Sequence, residues 1–205
     1  MRIGCLGWGS LLWDPRTLPA ARSFRVDGPR LPIEFSRVAL DGRVTLVIDP
    51  NAPAIPTASV TLSVTSLGAA VEGLGIRERI SPARWPEWIG RQTRDGPGPY
   101  PGDTPAGVRA TIAEWLEAGE LDAVVWTALP ARGPGGATRH PEVDQLLAHL
   151  ASLDGGGLAR AEEYIRRAPA FVRTPRRARF EEVLGWHPTD AESESHTSQS
   201  TDRED

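Results

Sequence analysis

Asp41-Gly42, set between apolar-patterned runs at residues 31–40 and 43–49, constrains this chain more than any other short feature. A type I′ turn needs positive φ at both central positions, and Asp-Gly tolerates that. A two-residue loop then fixes the register, with Leu40 facing Arg43, Ser36 facing Val47 and Glu34 facing Asp49. One hairpin face carries Ile33, Phe35, Ala39, Val44, Leu46 and Ile48. Arg37 falls on that apolar face as its anomaly, while Glu34 and Asp49 fall on the wetter face beside Arg43.

Other elements follow from the same kind of patterning. Residues 2–8 read as a buried strand entering a glycine-containing turn that Asp14-Pro15 closes. Residues 57–65 alternate strictly, with Ala58, Val60, Leu62 and Val64 on one side and hydroxyl residues on the other. Ser66 offers an N-cap for a helix to about Arg79, with Leu67, Val71 and Leu74 as its buried stripe. Residues 81–103, rich in Pro, Gly and Trp, read as a long surface excursion with a short helix near Trp85. Thr104-Pro105 gives a cap-plus-N1 signal for a helix to Ala118, ended by Gly119. A buried strand at 121–129 precedes helices near 141–153, 158–168 and 175–184, the last with Thr174 as N-cap and Gly185 after it. Together these elements describe an α/β chain. It forms a single domain over 1–188, followed by a disordered acidic tail at 189–205.

Composition excludes several kinds of chemistry. All 23 basic residues are arginine, a usage that fits a GC-rich coding sequence. Without lysine there is no Schiff base and no Walker lysine. Of the 27 acidic residues six lie beyond His187, so the net charge of −4 belongs to the tail and the folded part is near neutral. That balance argues against a nucleic-acid partner. Cys5 is the single cysteine, and the four histidines lack ligand spacing, so no metal site is expected. Cys5 itself reads as a small core residue. No apolar run approaches the ~18 residues of a membrane span, and no secretory leader is evident. A cytoplasmic location without membrane contact follows as an expectation.

Two segments can carry chemistry. Gly7-Trp8-Gly9-Ser10-Leu11 follows a strand, and its glycines let backbone N–H groups approach a ligand; a plain tight turn is the simpler reading. Leu12 stands where a dinucleotide fingerprint or a nucleophile elbow needs glycine. Glu78 continues the helical stripe through Val71 and Leu74. Burial and the helix dipole both disfavour a carboxylate's charge there, which suits a group that takes up and releases a proton. The plainer alternative is a frayed helix end with Glu78 paired to Arg77 or Arg79 in water. Arg37 can receive a substrate carboxylate in a bidentate fork, or form a structural ion pair with Glu78 or Glu34.

The loop IGCLGWGSLLW, followed by a strand, a helix and the carboxylate in LGIRERI, resembles the γ-glutamyl cyclotransferase family. That family has a Tyr-Gly-Ser-Leu or Tyr-Gly-Ser-Asn loop and a catalytic glutamate closing a Leu-Asp-x-x-Glu stretch. The loop motif falls on Trp8, Gly9, Ser10 and Leu11, and the glutamate on Glu78. Trp8 replaces the usual tyrosine, Gly75 the aspartate, and Arg79 a frequent glycine. The likeness covers residues 1–80 and, more loosely, 121–129. It implies the α+β fold class, a small mixed β-sheet or barrel flanked by helices, to which this chain adds extra C-terminal helices. It also implies an enzyme without cofactor that cyclises a γ-glutamyl amine to 5-oxoproline and releases the amine. Glu78 would then be the catalytic acid–base. Trp8, Gly9, Ser10, Leu11 and Arg37 would bind a small-molecule γ-glutamyl substrate, with Trp13 as further pocket wall. The alternatives are a non-catalytic binding or regulatory protein that keeps the pocket, and another acyl transfer on a γ-glutamyl-tagged intermediate.

Overall fold

The computed structural model describes residues 1–96 and 104–189. It is an α+β fold with a six-stranded mixed sheet, built from β1 (Ile3–Gly7), β2 (Arg25–Val38), β3 (Val44–Ile48), β4 (Ala54–Thr61), β5 (Ile89–Thr93) and β6 (Ala123–Thr127), in the order β3-β2-β4-β1-β6-β5. Only the β1–β6 pair is parallel. Alternation along these two strands divides the core. Ile3, Cys5, Ala123 and Val125 enter one apolar cluster, while Leu6, Val124 and Trp126 enter the other. Helices α1 (Leu67–Arg77) and α2 (Trp85–Trp88) lie on the first face. Helices α3 (Ala106–Ala118), α4 (Val143–Ala151), α5 (Gly155–Arg167) and α6 (Pro175–Leu184) contribute to the second.

The hairpin keeps its apolar row but not its expected turn. Ile33, Phe35, Val44, Leu46 and Ile48 are buried together. The turn spans three residues: Ala39 N donates to Arg43 O at 2.8 Å and Gly42 N to Ala39 O at 3.1 Å. Gly42 alone takes positive φ (+86°), so the two-residue type I′ turn is replaced by a longer loop with glycine in the left-handed position. The register moves accordingly, and Glu34 lies opposite Val47 rather than Asp49. An irregularity between Phe35 and Arg37 then takes Arg37 off the apolar row, and Val38 joins the core instead.

Of the expected excursion at 81–103, residues 97–103 lie outside the described residues, and 81–96 are more than a surface excursion. The short helix α2 is present, but β5 follows it and pairs antiparallel with β6 along its full length. Ile89-Gly90-Arg91-Gln92-Thr93 lacks alternation, so pairing to the largely buried β6 sets its conformation. Thr104 does not cap α3; its Oγ1 accepts a hydrogen bond from Trp126 Nε1 at 2.9 Å. Helix α6 starts and stops as the sequence indicates, with Thr174 Oγ1 accepting from Arg177 N and Gly185 in the left-handed conformation. The acidic tail from residue 190 lies outside the described residues.

Far from the wet surface expected for them, Glu34 and Asp49 are 3% and 2% exposed. Both are held by the start of α6. Glu34 accepts from Thr174 Oγ1 at 2.5 Å, Phe35 N at 2.8 Å and Arg176 N at 3.2 Å. Asp49 accepts from Ser36 Oγ at 2.5 Å and Arg176 Nη1 at 3.2 Å, with His140 Nδ1 at 3.0 Å. Burial raises the Glu34 carboxyl above its ordinary range, although its hydrogen bonds oppose this. Burial also works to raise Asp49, but Ser36, the Asn51 amide and the charges of His140 and Arg176 outweigh it and leave it lowered.

Asp49 therefore contributes stability that is complete above its unfolded-state value of about 3.9 and is lost as pH falls through its lower folded value. Arg176→Leu should lower stability at neutral pH by about 3 kcal/mol, roughly 6–12 °C in Tm, because Asp49 keeps a buried charge without its cation. The deficit should shrink in acid, where Asp49 takes up a proton. Circular dichroism melts of both proteins across pH measure this, and a deficit independent of pH would contradict it.

Candidate active site

Of the residues that the sequence reading places in a site, all but Trp13 line one chamber at the carboxyl ends of β1 and β6, and Trp13 lines a larger cavity that adjoins it. The chamber has a volume of about 200 Å³. Trp8, Gly9, Ser10 and Leu11 enter it from the loop after β1, Glu78 from the end of α1 and Arg37 from the hairpin. The hairpin is drawn over these strand ends by the chain beyond β6. Val38 N donates to Arg132 O at 2.7 Å, and Arg132 N to Ser36 O at 3.1 Å.

The loop folds as a tight helical turn, closed by Leu12 N to Gly9 O at 3.0 Å and Asp14 N to Ser10 O at 2.9 Å. The amides of Gly9, Ser10 and Leu11 donate to no acceptor among the described residues. Gly9 and Leu11 are buried, where an N–H group without an acceptor is rare. Gly9 is sterically required, since a Cβ there would stand 2.7 Å from the Tyr164 hydroxyl.

Glu78 is the C-cap of α1, and the helix stops at Arg77 rather than Arg79. Ile80 N to Gly75 O at 2.9 Å and Arg79 N to Ile76 O at 3.1 Å form a Schellman closure. Its left-handed position falls on Arg79 (φ +55°), a conformation that glycine adopts without strain. At position 75 a side chain would overlap the Trp85 indole, whose Nε1 donates to Ile80 O at 3.0 Å. Both departures around Glu78 thus belong to the packing of one turn.

The frayed-end alternative for Glu78 is half realised. Arg77 does pair with it, Nη1 to Oε1 at 2.5 Å, but the guanidinium is 3% exposed and the carboxylate 18%. The same guanidinium donates to Asp14 O at 2.6 Å and Ser10 Oγ at 3.3 Å. Glu78 accepts no other hydrogen bond among the described residues, which leaves Oε2 for a ligand. Arg37 forms neither of its expected ion pairs. Its Nη1 donates to Pro130 O at 2.5 Å, and burial together with the charge of Arg132 lowers its pKa. Glu34 is outside the chamber.

Sequence reasoning named Arg77 only as a solvated partner of Glu78 and missed Tyr164. Arg77 follows Ala70 and Leu74 on the buried face, and this spacing was the available signal. Tyr164, on α5, is buried, and its pKa is pushed up to about 12, chiefly by burial, with the charge of Glu78 adding. Its oxygen accepts from Leu46 N at 3.4 Å, so the hydroxyl proton is available to the chamber. Among the described residues no group of three or more His, Cys, Asp or Glu side chains is placed to hold a metal ion. Nor is any helix long and apolar enough to cross a membrane.

Arg79→Gly should raise stability by about 0.5–1 kcal/mol. Removing a Cβ from a left-handed residue gains about 1–2 kcal/mol, and the added chain entropy of glycine returns part of it. The expected readout is a Tm higher by about 2 °C, and a lower Tm would show that Arg79 makes a stabilising contact.

Comparisons with family models, curated proteins and solved structures give no match to this chain.

Proposed function

We propose that the chain is a cofactor-independent γ-glutamyl cyclotransferase-like enzyme with the mixed-barrel architecture of that family, acting on a soluble small molecule in the cytoplasm. One observation carries the reading: Glu78 and residues 9–11, whose amides have no acceptor among the described residues, line the same small chamber. The substrate's α-amine attacks its own γ-carbonyl, a five-membered ring closes, and the C–N bond to the leaving amine breaks. Holding the substrate folded supplies much of the rate, because nucleophile and carbonyl belong to one molecule. Glu78 takes a proton from the attacking ammonium and delivers it to the departing amine. The amides of Gly9, Ser10 and Leu11 hold the glutamyl group and the oxyanion that develops on its γ-carbonyl. Arg37 receives the α-carboxylate, and Trp8 closes the wall.

Arg77 gives the alternative its footing, because a carboxylate held by a buried guanidinium also suits a binding protein without turnover. One substitution separates the two. Glu78→Gln keeps the shape and loses proton exchange. Release of 5-oxoproline from a panel of γ-glutamyl amines should fall by ~100-fold or more while substrate still binds. Binding by the native chain without any 5-oxoproline would favour the binding protein. Equal turnover by both chains would remove Glu78 from the mechanism.

A further inference from the structure

Outside the inner chamber lies a larger one of about 830 Å³, and the two share Ser10, Arg37, Arg43, Glu78 and Tyr164. If the glutamyl group occupies the inner chamber, the departing amine occupies the outer. Eight of the chain's 23 arginines line this outer chamber, against four carboxylates. Arg16, Arg43, Arg77 and Arg167 each pair with one of those carboxylates, and Arg84 pairs with Glu87. Arg37, Arg79 and Arg160 have no carboxylate partner among the described residues. They come from three separate elements: the irregular stretch of β2, the turn after α1, and α5.

This wall is built rather than incidental. Trp88 carries Arg37 at 5.9 Å and Arg84 at 5.4 Å from its ring centre, and Trp13 carries Arg167 at 5.8 Å. Stacking of this kind fixes a guanidinium without neutralising it. Among the described residues the only non-glycine positions with positive φ are Arg16 (+48°) and Arg79 (+55°), and both stand in this wall. Left-handed strain at two arginines of one cavity marks positions where the side chain outweighs backbone comfort.

We infer that the outer chamber binds a multiply charged anion, a phosphate or a pair of carboxylates, carried on the amine that the reaction releases. This rests on the cyclotransferase reading for the link to turnover, while the anion site itself stands on the arginines. With Arg37 taken by the substrate's α-carboxylate, Arg79 and Arg160 remain, and a single carboxylate would answer one of them. A group with two negative charges answers both.

The test takes the native chain and three leaving amines as probes: O-phosphoethanolamine, aspartate and ethylamine. Calorimetry should show binding of at least one of the first two, weakening as salt rises, and none of ethylamine. The phosphate and dicarboxylate arms identify which anion the site takes. Arg79→Gly and Arg160→Ala should each weaken that binding about ten-fold, the scale of one charge-assisted hydrogen bond, while melting temperatures hold or rise. The γ-glutamyl derivative of the anionic amine should exceed γ-glutamyl ethylamide in kcat/KM, chiefly through KM. Arginine-dependent anion binding without any 5-oxoproline would keep this site and remove the cyclotransferase. Equal turnover of neutral and anionic derivatives would keep the enzyme and overturn this inference. Absence of binding by both anions, or affinities untouched by the two substitutions, would overturn it as well.

Discussion

The buried guanidinium of Arg77 is the contact on which the rest of the site depends. A cation at 3% exposure is costly unless its donors are matched, and here they are. Two of its nitrogens reach Asp14 O at 3.2 and 2.6 Å, one of these also reaches Ser10 Oγ, and the third nitrogen holds Glu78. A helix end and a strand-to-loop corner, 63 residues apart in sequence, are thereby joined through one side chain. Glu78 alone, at the carboxyl end of a helix, would sit where the dipole repels an anion. Arg77 offsets this and fixes one oxygen, leaving the other toward the chamber.

The sheet supplies the frame for that tie. β1 and β6 run parallel within it and bring the loop after each to the same end. β2 pairs with β4 through its first half and with β3 through its second, and the strand irregularities let one chain serve both. The Arg132 backbone then fastens the second half over the open strand ends. A polar latch of Glu34, Ser36 and Asp49 against α6 sets the outer side of the same hairpin. The chamber is thus enclosed by elements distant in sequence, and its roof is the segment whose turn the sequence misjudged.

What was legible in the sequence divides along physical lines. Local signals held: the apolar row of the hairpin, the Ser66 and Thr174 caps, and the Gly185 stop all depend on residues close along the chain. Signals that depend on a partner did not. β5 has no alternation of its own and forms because β6 offers an edge. Glu34 looked solvated because nothing near it in sequence announces Thr174 and Arg176. Thr104 looked like a cap until Trp126 claimed its hydroxyl. In the site, the loop and Glu78 could be named from motif and spacing, whereas Arg77 and Tyr164 are defined by the atoms they meet across the fold.

The central claim is that the inner chamber holds a glutamyl-derived group between the residue 9–11 amides and Glu78. The most direct measurement is a titration of ¹⁵N-labelled protein with 5-oxoproline, followed through backbone amide shifts. Saturable shifts centred on Gly9, Ser10 and Leu11, with a companion set at Glu78 and Arg79, are the expected result. Shifts confined to other parts of the surface, or none at saturating ligand, would contradict the account.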